Sequence, residues 1–342
     1  MTNLVVTACG PMTSLQDGGR VGYQRLGISN SGAMDRLSLA AANALVGNGA
    51  GAGAIEFVLL GGSFSVEGGT ARVAVAGAPC AVTVDGQLVP MMTTLILRPG
   101  QSLDIGSARA GVYIYLAVAG GFDVAPQLGS LSLHPRAGIG GIEGRPLRPG
   151  DRIPLHSAEA PDGPLLGLPP VPVVTDEPIR VVLGPQDDHF TETGVATFLS
   201  ATYTVSQEAD RMGYRLAGPQ IEHSWGYNIV SDGIVWGSVQ VPGSGEPIVM
   251  MADRQTTGGY PKIATVISAD LRLVAQRRPG QSIRFQAVAV GEAQHVARER
   301  AKEVANLQSR ARPLHMLPPV EELLTLNLAG AAVDALASDA QS

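Results

Sequence analysis

Short apolar runs, strand-sized and broken by Gly, Asp or Pro, dominate the chain as far as about residue 290. Residues 4–6, 72–76, 81–84 and 111–117 are rich in Val, Tyr and Ala, the composition of strands packed in a core. Residues 247–252 and 263–267 read the same way. Asp85-Gly86 between two such runs predicts a tight hairpin. Helical spacing is rarer. Residues 35–46 carry good helix formers with Asp35 placed as the cap and Gly47-Asn48 as the stop; residues 186–199 predict a second helix. Beyond Gly291 the period changes. Residues 292–310 set Ala293, Val296, Ala297, Val304 and Leu307 on one face, and such a helix is expected to pack on its own domain. Pro313, Pro318 and Pro319 interrupt the pattern, and residues 321–336 carry a further apolar stripe.

A weak repeat accompanies this pattern. Arg98-Pro99-Gly100-Gln101-Ser102-Leu103 recurs as Arg278-Pro279-Gly280-Gln281-Ser282-Ile283, with a relative at Arg148-Pro149-Gly150-Asp151. Either Pro-Gly turns recur for local reasons, or two related β-barrels stand in tandem. Residues 158–178, rich in Pro, Gly and acids, make the best linker. The division is therefore 1–160 as an N-terminal β-barrel-like domain, 177–290 as a second barrel, and 291–342 as a helical tail.

Composition narrows the function classes. With 342 residues there is ample length for a large core, and 43 Gly and 24 Pro beside 16% charged residues describe a loop-rich globular chain. A net charge of -6 argues against a nucleic-acid partner, and no apolar run is long enough to span a membrane. Cys9 and Cys80 cannot form a disulfide framework; small buried side chains in a reducing cytoplasm are expected. Val6-Thr7-Ala8-Cys9 mimics a lipoprotein cleavage site but lacks a charged, apolar leader. A cytoplasmic protein is expected.

Three polar, glycine-flanked loops stand out as places where a rigid fold can present charge to a ligand. The first carries Gln16, Asp17 and Arg20, followed by Asn30, Ser31 and Asp35. The second carries Asp210 and Arg211. The third holds Asp253, Arg254, Gln255, Thr257, Tyr260 and Lys262 around Gly258-Gly259. Neighbouring Asp and Arg also form structural salt-bridge networks, so both readings stand. Phosphate-loop, dinucleotide and serine-elbow motifs are missing, and the six histidines are too scattered for metal-ligand spacing. No metal is expected.

Taken together, TSLQDGGRVGY, SGAMDRLSLAAANALVGN, AGIGGIEGRPL, LGPQDDHF, DRMGYRL, IVSDGI, VQVP and ADRQTTGGYPKIATV resemble one family in order along the chain. It is the biotin-dependent carboxyltransferase group that includes the C subunit of 5-oxoprolinase, allophanate hydrolase subunit 2 and the carboxyltransferase region of urea carboxylase. The resemblance implies a mainly β fold, with two tandem cyclophilin-like β-barrel domains, a few helices and a helical C-terminal tail. It further implies one part of an ATP-dependent 5-oxoprolinase, a hydrolase of a cyclic amide that works with A and B subunits. ATP would then act at the level of the complex. One alternative is carboxyl transfer to urea or a related amide, with biotin arriving in trans on another protein. Another is a non-catalytic regulatory partner of a kinase-inhibitor-like subunit.

Under the first reading Arg254, Lys262 and Arg211 are the candidate electrophilic groups, and Asp253 and Asp210 the candidate bases or orienters. Gln240, Gln255, Thr257 and Tyr260 are expected to bind substrate, as are Asp17, Arg20, Asn30, Ser31 and Asp35. Two departures from the family pattern bear on this. Leu131 and Leu133 stand where the family commonly has Arg and Thr, and Trp236 where a proline is often found.

Overall fold

A computed structural model describes residues 1–173 and 175–314; the apolar stripe at 321–336 lies outside the described residues. The chain is mainly β with few helices, as expected. The first half forms two antiparallel sheets. One runs in the order Arg152–Pro154, Asn3–Cys9, Gly62–Glu67, Ser102–Ile105, Val82–Val84, Gln87–Val89. The other runs Ser14–Gln16, Ala54–Val58, Tyr113–Val118, Ala71–Gly77, Thr94–Leu97. Asp85 and Gly86 both take left-handed backbone and close the predicted hairpin.

The second sheet is buried on both faces, which explains its continuous apolar runs. Ile114, Leu116 and Val118 meet Leu4, Val6 and Phe64 of the first sheet in one core. Their alternating neighbours Tyr113, Tyr115 and Ala117 face a second core with Ala74 and Ala76. Over that face lies α1 (Arg36–Leu45), whose alanines 40, 41, 42 and 44 are all buried in it. Small side chains on helix and sheet let the two backbones approach closely.

In the second half eight strands form one sheet, ordered Ser282–Ile283, Tyr203–Ala209, Gly213–Ala217, Ile248–Met250, Ser238–Gln240, Lys262–Val266, Ile179–Leu183, Phe285–Ala287. Its two end strands are separated in sequence by Arg284 alone, so the sheet curls into a nearly closed barrel. The helix expected over 186–199 is shorter. A 3-10 turn at Asp187–His189 precedes α2 (Glu192–Ser200). The Thr191 hydroxyl accepts from the Gly194 amide at 2.9 Å and so fixes where α2 starts. Phe198 of α2 stacks on Phe285 with ring centroids 4.6 Å apart.

Each copy of the Arg-Pro-Gly repeat is the same turn. In all three the residue after Gly donates its amide to the Arg carbonyl, Gln101 to Arg98, Asp151 to Arg148 and Gln281 to Arg278. That residue's side chain also accepts from the Arg amide, at 3.0, 2.8 and 2.8 Å respectively. The repetition thus has a local cause at every copy.

After the short helix α3 (Leu271–Ala275), the tail comprises α4 (Val290–Ala305) and α5 (Leu307–Arg310). It does not confine itself to the half that precedes it. Both helices contact α1, α4 also contacts the Ile179–Leu183 strand, and Arg312–Pro313 pairs with Leu166–Gly167. Leu307 is the buried anchor. Cys9 and Cys80 are free and only partly buried. Among the described residues no helix is long and apolar enough to cross a membrane.

Asp35 caps α1 as expected, accepting from the Ser38 amide at 3.1 Å. It is also wholly buried against Arg272, at 2.9 Å, and Gln276, at 3.0 Å. Burial pushes this carboxyl up, but Arg272, Gln276 and Ser38 outweigh it and hold it below its ordinary value of 3.8. Its stabilisation is therefore present above that value and lost as pH falls through the lower, folded value. Asp35→Asn, which leaves Arg272 buried without its counter-charge, is expected to destabilise by about 3–5 kcal/mol at neutral pH. Urea melts should show the gap between variant and parent narrowing in acid; a gap that widens below pH 4 would contradict this account.

Candidate functional site

Arg211 leaves the turn between the strands Tyr203–Ala209 and Gly213–Ala217 and points into the interior. The turn itself is fixed by Asp210, whose carboxylate accepts from the Met212 amide at 2.7 Å and the Gly213 amide at 3.1 Å. The Arg211 guanidinium holds Asp253 through Nε at 2.8 Å and Nη2 at 3.1 Å, on its own half of the chain. Across to the first half it reaches Glu56 at 2.5 Å, the Gly32 carbonyl at 2.8 Å and Gln16 at 3.3 Å. Glu56 also accepts from the Tyr115 hydroxyl at 2.7 Å and the Met34 amide at 2.9 Å. Tyr115 in turn accepts from the Asp35 amide at 2.8 Å. One hydrogen-bonded chain thus runs from Asp253 to Arg272.

Burial governs the charges here. It raises the Glu56 carboxyl, with Arg211 acting against it. Burial would lower Arg211, but Asp253 and Glu56 outweigh it and raise the guanidinium further. Arg211 is a fully engaged fork, the geometry for which Arg is suited and Lys is not.

The residues flanking Arg211 open onto a cleft of about 550 Å³. Strand alternation builds it. Tyr214, Leu216, Val239 and Val249 face the core, while Gly213 pairs with Met250 and Arg215 and Gln240 with Ile248 on the opposite face. The third loop folds over this face and supplies Gln255 and Tyr260, and the first half supplies Arg136. Gln240 donates to the Tyr260 carbonyl at 3.3 Å. Arg136 is exposed and makes no ion pair among the described residues. Arg215 in the same lining is paired with Glu208. Arg136 is thus the lining's guanidinium without an ion pair among the described residues, and together with the amide side chains it suits a small molecule with both a carboxylate and an amide-like edge.

Of the residues singled out in the sequence, Asp210, Gln240, Gln255 and Tyr260 meet in this cleft. Arg211, Asp253 and Asp35 belong to the buried chain beneath it. Lys262 is almost wholly buried and donates to Asp232 at 2.6 Å and to the Gly233 carbonyl at 3.1 Å. The Lys262 hydrogen bond, with those from Gly233 and Gln186, holds the Asp232 carboxyl down at about 2. Thr257 lies in the two-residue ladder that pairs Thr257–Gly258 with Asp232–Gly233. Arg254 is buried among oxygen atoms of Ile234, Met251 and Gln24. Burial, then the like charge of Arg36, lowers it to about 10.

The N-terminal loop is tied to the segment that departs from the family pattern. Asp17 accepts from the hydroxyls of Ser130 and Ser132, both at 2.6 Å, and from the Leu131 amide at 2.7 Å. Arg20 donates to the Ser132 carbonyl at 2.8 Å, and its amide to the Asn30 carbonyl at 2.6 Å. Ser31 is buried with left-handed backbone. Leu133 is wholly buried, and Leu131 sits so close to Gly53 that a Cβ there would meet it at 2.7 Å. Sequence reasoning missed Arg136, Glu56 and Arg272. Glu56 had a readable signal, a lone acid inside the apolar strand Ala54–Val58. Arg136 had none beyond its place between two family-like segments.

Among the described residues no group of His, Cys, Asp and Glu could hold a metal ion. Arg211→Met, which leaves Glu56 and Asp253 buried without their shared cation, is expected to cost about 3–5 kcal/mol. Adding Glu56→Gln should recover part of that loss, since the two sites share one network. A loss in the double variant equal to the sum of the Arg211→Met and Glu56→Gln losses would argue that the pairing is not coupled.

A family model described as "Carboxyltransferase domain, subdomain A and B" matches residues 26–287. The Escherichia coli protein named as the C subunit of 5-oxoprolinase is 40% identical over 291 residues, which cover 85% of this chain and 93% of that one. The Saccharomyces cerevisiae protein named urea amidolyase is 32% identical over 83% of this chain but only 16% of its own length. The Kluyveromyces lactis urea carboxylase structure superposes with a TM-score of 0.82 at 28% identity, over 92% of this chain and 31% of that one. The K. lactis urea amidolyase structure gives the same TM-score at 27% identity and is covered over 20%. The chain therefore spans less than a third of these larger structures. On the family match and the extent of these identities, it belongs to the carboxyltransferase family of subdomains A and B.

Proposed function

We propose that this chain is the C subunit of a 5-oxoprolinase, which opens the cyclic amide 5-oxoproline to glutamate in a complex with A and B subunits. ATP is consumed at the level of that complex. The observation that carries the reading is the cleft of Arg136, Gln240, Gln255 and Tyr260, in a chain 40% identical to a protein named for this role over nearly all of its length. 5-Oxoproline carries a carboxylate and a lactam on one small ring. Arg136 supplies a cation for the carboxylate, and the two glutamines supply donors and acceptors for the lactam edge. Asp210, at the cleft wall with one carboxylate oxygen committed to the turn, is the group placed to take a proton from the water that adds to the lactam carbonyl carbon and return it to the ring nitrogen as the C–N bond breaks.

A second reading, carboxyl transfer to urea or a related amide, is favoured by the names of the yeast relatives. Urea itself has no carboxylate, so in that reading Arg136 would meet the carboxyl group being transferred rather than urea. The deciding experiment co-expresses the chain with its A and B partners and follows ADP release with and without 5-oxoproline. Release that depends on both 5-oxoproline and this chain is expected. Arg136→Ala should raise KM about 10- to 100-fold with a smaller effect on kcat, the loss of one charge-assisted contact. No 5-oxoproline-dependent release would sink the proposal, and turnover of urea with carboxybiotin would put the second reading in its place.

A further inference from the structure

A second cavity, of about 420 Å³, lies away from the cleft just described, between α1, α4 and the Trp236 loop. None of the residues lining the first cleft lines it. Its walls are mostly apolar, from Ala40 on α1 and Ala297, Ala301 and Val304 on α4. Its polar end is cationic. Arg36 lies over the Trp236 ring with its guanidinium 4.8 Å from the ring centroid, and makes no ion pair among the described residues. The other two arginines in the lining are already neutralised, Arg272 by Asp35 and Arg300 by Glu303. Behind Arg36 the buried guanidinium of Arg254 feels its like charge. The main counter-charge felt by Arg36 is Asp17, which is committed to four donors, Gly19 in its own loop and Ser130, Leu131 and Ser132 in the segment tied to it.

We infer that this cavity is a binding site for a carboxylate carried on an apolar body, with Arg36 meeting the anion and the α1–α4 groove taking the body. An anion beside Arg36 relieves its repulsion with Arg254, and the alanines and Val304 of the groove suit an apolar body. Trp236, the departure from the family pattern, then acts as the platform that holds Arg36 at the mouth of the cavity. This site stands independently of the 5-oxoprolinase reading, because its test needs neither partner subunits nor turnover.

The chain has two tryptophans, Trp225 and Trp236, so Trp225→Phe in the full-length protein leaves Trp236 as the sole indole reporter. With 15N-labelled tryptophan, octanoate is expected to move the Trp236 Nε1–H resonance saturably, and 1-octanol to bind at least tenfold more weakly. Arg36→Gln should weaken octanoate about tenfold while leaving octanol unchanged. Ala301→Phe, at an exposed position on α4 that fills the groove without replacing a buried side chain, should abolish both. The inference is overturned if octanoate gives no saturable shift, if octanol matches octanoate, or if Arg36→Gln binds octanoate as the parent does. Failure here would leave the ADP-release assay untouched, and failure of that assay would leave this titration untouched.

Discussion

The structure depends on one buried cation. Arg211 belongs to the barrel half, yet three of its five hydrogen bonds go to the other half, to Glu56, Gly32 and Gln16. A guanidinium removed from water cannot leave its acceptors without a cost of several kcal/mol, so the two halves are held in one relative arrangement. Net energy is not the main effect, since an apolar replacement of such a network can be equally stable. Directionality is. A planar fork satisfied by carboxylates from both halves admits little sliding, and the residues on either side of Arg211 form one wall of the cleft. The geometry of the cleft is therefore set by the same contact that sets the interface.

The barrel supplies the other constraint. Its outward face between Gly213 and Gln240 is covered closely by the third loop, and the glycine in that loop is what permits the approach. A Cβ on Gly258 would lie 2.8 Å from the Gln240 amide nitrogen and 2.6 Å from Ile234. Lys262 fastens the same loop system from below through Asp232 and Gly233. The amide of Gln240 is thus presented by a rigid strand and positioned by a backbone carbonyl. Such pre-organisation costs no ordering when a ligand arrives.

Much of this fold is legible because period-2 alternation and turn chemistry are local. The apolar run that forms Tyr113–Val118, the Asp85-Gly86 hairpin and the Asp35 cap each carry their cause within a few residues. Which charges meet in space is not written locally. Asp253 and Arg254 are neighbours, but Asp253 pairs with Arg211 and Arg254 finds oxygens of Ile234, Met251 and Gln24. Asp35 reads as a helix cap, and its second role, against Arg272, spans 237 positions. The tail departs from expectation for a related reason. Its stripe is visible, but the surface that receives it, α1 of the first half, is distant in the chain.

A fold shared by proteins named for two different activities must place the difference where the fold is indifferent to it. The buried chain from Asp253 to Arg272 cannot be that place, because removing any one charge strands its partner in the interior. Nor can Lys262 or Asp17, which are spent on Asp232 and Gly233 and on Ser130, Leu131 and Ser132 respectively. The rim is different. Arg136, Gln255 and Tyr260 are exposed, so exchanging them leaves no buried group unsatisfied. On the proposed reading, substrate choice falls to the weakly constrained rim, while the charged motifs that make the chain recognisable keep the rim in place.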